Sequence, residues 1–165
     1  MKRKKNIIDD LAIRMRFEEV TDQEIMTLIS ESVQDLELGD CSGRTLLWHA
    51  SFCNRVKLVE WLVISGANVN TQDENDFSAL HIATQEKHTE MVLYLLHNGA
   101  NINIRDKFGN TPIMRTNRST PRELFRILLE NGADVDLKNQ AGVSYRDISV
   151  AFPDMQELLN EFTQT

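Results

Sequence analysis

Any chemistry in this chain has to come from four histidines and two cysteines. His49, His81, His88 and His97 invite a metal reading, but no two stand at i, i+4 with a carboxylate ligand close by. The helix-borne arrangement that a catalytic zinc ion needs is therefore missing. Cys53 follows His49 by one helical turn, a spacing that would let an imidazole activate a thiol. The sequence offers that pair neither an orienting acid nor an oxyanion hole. The seven glycines are spread singly and never gather into a loop that cradles phosphate. No catalytic residue, metal site or cofactor is expected, and an enzyme is the remote reading. Cys41 and Cys53 have no CxxC spacing and read as free thiols of a reducing compartment.

Composition narrows the remaining classes. At 165 residues, 41% hydrophobic and 26% charged, the chain suits one well-buried domain. Its net charge of −7 argues against binding a phosphate backbone, which rests on clustered Lys and Arg. The same charge leans the choice of partner towards a basic one. The basic start Met1-Lys2-Arg3-Lys4-Lys5 is followed by Asp9 and Asp10 where a secretion signal needs an apolar stretch. No run approaches the length of a membrane span. A soluble, cytoplasmic protein, monomeric when free, is the expectation.

What must position any functional side chain is a repeat. Gly66-Ala67-Asn68-Val69-Asn70 returns as Gly99-Ala100-Asn101-Ile102-Asn103 and again as Gly132-Ala133-Asp134-Val135-Asp136, a period of 33 residues. Periods of this size mark stacked units that bury their apolar faces on one another. Each unit opens at a turn headed by Asp40, Asp73 or Asp106, whose fourth residue (Gly43, Asp76, Gly109) tolerates positive φ. Thr45, Ser78 and Thr111 then stand where a helix wants its N-cap, and Pro112 suits a first helical position. Leu47, Leu80 and Ile113 point inward from a short first helix, with the small Ala50 and Ala83 one turn on. A second helix carries Leu58, Val59 and Leu62, repeated as Met91, Val92, Leu95 and as Leu124, Phe125, Leu128. The glycine then closes it with a left-handed cap.

Ser78-Ala79-Leu80-His81-Ile82-Ala83 and Asp106-Lys107-Phe108-Gly109-Asn110-Thr111-Pro112-Ile113 resemble the ankyrin repeat. That family's pattern runs Asp, two free positions, Gly, a free position, Thr-Pro-Leu-His, a free position, Ala. The resemblance implies an all-α fold, an ankyrin-repeat solenoid of stacked helix-turn-helix units with short hairpin-like arms. It also implies that His81 bridges neighbouring repeats by hydrogen bonds. The expected division within a single domain is a flexible tail over 1–5, an N-terminal capping repeat over 6–39, repeats at 40–72, 73–105 and 106–138, and a C-terminal capping repeat over 139–165.

The ends and the third repeat depart from the pattern. A helix over Asp22–Ser32, partnered by one carrying Ile8, Leu11, Met15 and Phe17, is expected upstream, with Val33 where the repeat glycine would stand. Downstream, Arg146 replaces the inward leucine, which predicts a thinner core, and the last helix from Asp154 arrives about two residues early. In the third repeat Thr116 replaces the small alanine, Pro121 opens the second helix, and Thr120 is its nearest hydroxyl cap. This irregularity is either drift or part of a binding surface.

The resemblance implies a non-catalytic module that binds another protein through a concave face of turn tips and first helices. The positions are Arg44 and Phe52 of the first repeat (beside Cys41, Ser42 and Cys53), then Glu74, Asn75, Phe77, Gln85 and Glu86 of the second. Lys107, Phe108, Asn110 and Arg118 (beside Ser119) complete the set from the third. Two of Phe52, Phe77 and Phe108 are expected to be exposed as binding anchors. Trp61, Tyr94 and Ile127 form a second ladder, read as packing between repeats. The acidic residues Glu18, Glu19, Asp22, Glu24, Glu31, Asp35 and Glu37 are either a solvated face or a surface that steers a basic partner. Narrower alternatives are a bacterial immunity protein that neutralises a cognate toxin by direct binding and a scaffold joining two proteins.

Overall fold

Helix α1 (Ile7–Phe17) and helix α2 (Asp22–Ser32) begin the computed structural model, which describes residues 7–17 and 20–163. The expected tail over 1–5 lies outside the described residues, as do Glu18 and Glu19 of the acidic cluster. Thr21 and Glu24 start α2 by exchanging side-chain and backbone hydrogen bonds across the first turn. Helix α1 carries the four expected apolar residues; Ile8, Leu11 and Met15 are buried, whereas Phe17 is 74% exposed. Phe17 lies two residues beyond Met15, about 200° round the helix, so it faces away from the inward stripe. Val33 leaves α2 in extended conformation (φ −118°), since a β-branched residue avoids the left-handed cap that glycine adopts.

Three helix pairs and one irregular unit follow. Thr45 caps α3 (Leu46–Phe52) and Arg55 precedes α4 (Val56–Ile64). Ser78 caps α5 (Ala79–Gln85), which is followed by α6 (Thr89–His97). The third unit has only a 3₁₀ turn, Pro112–Arg115, before α7 (Arg122–Glu130). Ser144 caps α8 (Tyr145–Ser149), and α9 (Pro153–Thr163) ends the described chain, its start as early as the sequence predicts. Among the described residues there is no strand, and a single isolated bridge joins Gln72 to Ser78. The structure is an all-α solenoid.

One continuous core runs through the stack. It takes in Leu47, Leu80 and Ile113, Ala50 and Ala83, and the stripes Leu58–Leu62, Met91–Leu95 and Leu124–Leu128. Trp61, Tyr94 and Ile127 are half-buried and packed on it, as packing between units requires. Gly66, Gly99 and Gly132 end their helices at φ 98°, 84° and 86°, the left-handed caps the sequence foretells. Gly43, Asp76 and Gly109 likewise take positive φ.

Polar groups stitch the units edge to edge. Asn70 donates from its amide to Gly99 O (3.0 Å) and accepts from Asn101 N (2.7 Å). One period on, Asn103 does the same with Gly132 O (3.1 Å) and Asp134 N (2.8 Å). One period back stands Glu37, whose carboxylate accepts from Asn68 N (2.8 Å). At the N-terminal end Arg55 donates to Met15 O, Val20 O and the Asp22 carboxylate, clamping α1 and α2 onto α4.

The third unit corrects two expectations and the C-terminal pair a third. Thr111 holds the N-cap position of the 3₁₀ turn but makes no side-chain cap bond. Thr120 leaves α7 uncapped, because its hydroxyl accepts from Asn117 N (2.9 Å) and closes the loop instead. The core does not thin at Arg146, whose side chain turns out to Asp136 (2.6 Å). The adjacent Tyr145 fills the rung, fully buried against Phe125. Thr116 stands in place of alanine to serve that ring: its hydroxyl lies 3.0 Å from Tyr145 OH and donates to Ile113 O at 2.8 Å. Because Ile113 O can only accept, the shared proton in the first bond comes from Tyr145.

Candidate functional site

The first helices and turn tips of the first two units, together with α1, enclose a groove of about 760 Å³. Its floor is built by a repeated turn. The Asp40 carboxylate accepts from Ser42 N (2.8 Å) and Arg44 N (3.0 Å), and Asp73 accepts from Asn75 N (2.8 Å) and Phe77 N (3.0 Å). Asp106 and Asn139 repeat the turn further along. Each carboxylate then meets a cation or an imidazole. Asp40 is 3.0 Å from His49 Nε2, and Asp106 pairs with Arg115, which is in register with His49. The middle unit has Ile82 at that register, so Arg44 of the preceding unit approaches Asp73 instead (3.5 Å).

These contacts set the local electrostatics. Burial alone would raise the Asp40 carboxyl, but the N–H donors of Arg44 and Ser42, and His49, hold it below its ordinary value. Burial lowers His49 despite its hydrogen bond to Asp40, and burial pushes the Cys53 thiol up. Asp40 is an acid beside His49 that sequence reasoning missed, nine residues away in the chain. Cys53 is nonetheless held as a protonated thiol, a poor nucleophile. Both cysteines are free.

Aromatic rings and guanidinium groups cover the groove wall. Trp48 and Phe52 stack with centroids 5.8 Å apart. Arg44 lies over Trp48 at 4.7 Å and Arg16 over Phe52 at 4.6 Å. Phe77 is covered by His81 (4.8 Å) and by Arg115 (4.7 Å). Phe52 and Phe77 are therefore half-buried, and of the three phenylalanines only Phe108 is exposed, at 61%. The expectation of two exposed rings is corrected, because each lies beneath a cation from a neighbouring element.

Of the expected positions, Arg44, Phe52, Asn75, Phe77 and Gln85 converge on the groove, with Cys41 and Cys53. Glu74 and Glu86 are exposed beside it without lining it. Lys107 and Phe108 are exposed on the third tip, clear of the groove. Asn110 is a structural residue: its carbonyl accepts from His81 Nε2 (3.1 Å) and its side-chain oxygen from Asn139 (2.8 Å). Arg118 lines a separate hollow beside Phe152 and Met155, and the hydroxyl of Ser119 is engaged by Lys87. Sequence reasoning missed the wall that α1 supplies, namely Ile13 (48% exposed), Arg16 and Phe17. The available signal was two apolar residues and an arginine off the inward stripe of an amphipathic helix.

Three of the four histidines, His49, His81 and His88, are spent on structure. His81 Nε2 faces a carbonyl, which only accepts, so Nε2 carries the proton and Nδ1 accepts from Ser78 N (3.2 Å). Burial lowers His81 to about 4. His88 Nδ1 donates to Ser51 O (3.0 Å), linking the first two units. Among the described residues no group of three or more His, Cys, Asp or Glu could hold a metal ion, and no helix is long and apolar enough to cross a membrane.

Stacked helix pairs joined edge to edge, with a groove along the first helices, define a helical repeat protein. The family model described as ankyrin repeats (3 copies) matches residues 58–139, and a second, described as ankyrin repeat, matches 42–71. The chain belongs to the ankyrin-repeat family, whose members are in general protein-protein interaction modules and typically non-catalytic. Among curated proteins it is similar to Ankyrin repeat domain-containing protein OPG015 of Monkeypox virus, 38% identical over 66 residues. That match takes in 40% of this chain and spans 15% of the relative's length.

Proposed function

We propose that this chain is a non-catalytic module that binds another protein in the groove walled by α1, α3 and α5. The observation that carries the reading is the convergence of Arg44, Phe52, Asn75, Phe77 and Gln85 on one concavity of about 760 Å³. Ile13 and Phe17 expose apolar surface on its opposite wall, and apolar anchors ringed by charge are what an interface core uses. On this reading residues 40–72, 73–105 and 106–138 are the repeats, flanked by capping repeats over 6–39 and 139–165. The edge bonds of Asn70 and Asn103 belong to the scaffold and hold the groove preorganised.

Site-specific photocrosslinking tests the placement. A photoreactive residue at position 13 in the groove wall should crosslink a partner protein in cells of origin. The same probe at position 64, where Ile64 is exposed at the end of α4 and does not line the groove, should not. Crosslinks confined to position 64 would remove the groove from the interface.

A further inference from the structure

Resting on that reading, we infer that the groove takes an extended acidic segment of the partner, in which a carboxylate stands next to a large apolar side chain. The chain's net charge of −7 suggests the opposite, so the argument turns on which groups keep unused capacity. Asp40 and Asp73 line the groove, but both are occupied from above and below: turn N–H groups take one oxygen, and His49 or Arg44 faces the other. Asp73 is buried. These carboxylates are part of the floor.

The cations reach further out. Arg16 is exposed and, among the described residues, has no carboxylate partner; it rests only on the rings of Phe17 and Phe52. The Arg44 side chain is 38% exposed; its buried Nε faces the Asp73 carboxylate at 3.5 Å, so what it can offer a partner is the exposed remainder of the guanidinium. A third donor belongs to Trp48, which is 9% exposed, lines the groove, and has no acceptor for its indole N–H. Two guanidinium groups therefore lie over two stacked rings. A guanidinium that lies flat on a ring keeps its edge free, and that edge matches a carboxylate in two-point fashion. Between the Arg16 and Arg44 cations, the rings of Trp48 and Phe52 and the exposed faces of Ile13 and Phe17 offer apolar contact for a neighbouring side chain. Asp9 also lines the groove and is the group that a basic partner would use instead.

Selection of short random peptides on the full chain tests this. The expected winners place Asp or Glu beside Leu, Ile, Phe or Trp. In fluorescence titration, with Trp61→Phe leaving Trp48 as the reporter, Arg16→Glu should weaken them about tenfold. Phe52→Ala should abolish binding, and circular dichroism melts check that both variants stay folded. Arg16 has no ion pair to lose among the described residues. An Arg16→Met control, which keeps apolar cover on Phe52 without the charge, should also weaken binding if the charge rather than the packing matters. Winners rich in Lys or Arg that still need Phe52 would overturn the acidic segment and leave the groove standing. Winners indifferent to both Arg16 and Phe52 would overturn the groove itself, and no enrichment would also refute the proposal. Self-association that Arg16→Glu dissolves would make a second copy the occupant, against this inference.

Discussion

Lowering the pH from 7 to 5 should cost the protein stability through His81, which sits at 0% exposure between two repeats. Its Nε2–H donates to Asn110 O and its Nδ1 accepts from Ser78 N. A proton on Nδ1 would set two donors against each other in a site without water-like polarity. Burial accordingly lowers His81 from an ordinary 6.5 to about 4. The unfolded chain takes up the proton first, so between these values it binds more protons than the folded chain. Stability must then fall with pH across this window and level off below pH 4 for this group. The full shift corresponds to about 3 kcal/mol, of which about 2 kcal/mol is lost between pH 7 and pH 5. For a chain of this size that is a drop in Tm of roughly 4–8 °C. His49 is also lowered by burial and adds to the slope, so the assay is a comparison. Thermal and urea melts of the native chain and of His81→Gln are recorded at both pH values. The variant should be less stable at pH 7, having lost its bridge, but should lose about 2 kcal/mol less on acidification. Asp40 and Asp106 are held below their ordinary 3.8, so their contribution is present above that value and lost beneath it, outside the window. Equal acid sensitivity of the two proteins would refute the assignment.

Three further outcomes follow from particular contacts. Tyr145→Phe should lower stability by about 1 kcal/mol in urea melts, because the Thr116 hydroxyl loses the donor at 3.0 Å. Gly109→Ala should be costlier than Gly142→Ala. The two share a left-handed backbone (φ 78° and 76°), but a Cβ at 109 would come 3.1 Å from Gln140 N, while at 142 nothing stands within 4 Å. Chemical denaturation of both gives the difference, and equal losses would mean the neighbouring backbone yields freely. Arg55→Ala should speed amide hydrogen exchange in α1 and α2, since it removes the bonds to Met15 O, Val20 O and Asp22. It should also weaken partner binding indirectly by loosening the α1 wall, and unchanged exchange in α1 would contradict the clamp.

Much of the scaffold is legible in the chain because its causes are local. Thr45 and Ser78 cap helices through N–H groups three residues ahead, and Gly66, Gly99 and Gly132 end them in a conformation other residues avoid. The extent of α2 is readable because Ile25, Leu28 and Ile29 stand one period before Leu58, Trp61 and Leu62. Local rules fail where a residue's role depends on a neighbour far along the chain. Thr116 looks like drift until Tyr145, 29 residues on, is placed over it. Thr120 looks like a cap until Asn117 claims its hydroxyl.

The candidate site divides in the same way. Its turn-tip and first-helix positions follow from register, so Arg44, Phe52, Asn75, Phe77 and Gln85 could be named from the sequence. Register cannot say which of them are covered, because exposure depends on long side chains arriving from other elements. Arg16 reaches Phe52 from α1, and Arg115 reaches Phe77 from the next unit. Register also sent Asn110 to the site, although its partners in the adjoining turns make it structural. The 33-residue period by itself determined that the chain stacks helix pairs into a solenoid, since each unit's apolar stripe can be buried only on the next. Only the tertiary structure decided that α1 closes the groove at one end. It also decided that Arg16, unpaired with any carboxylate among the described residues, lies on the rings of Phe17 and Phe52, because charge available to a partner depends on pairing in space and not on the sum along the chain.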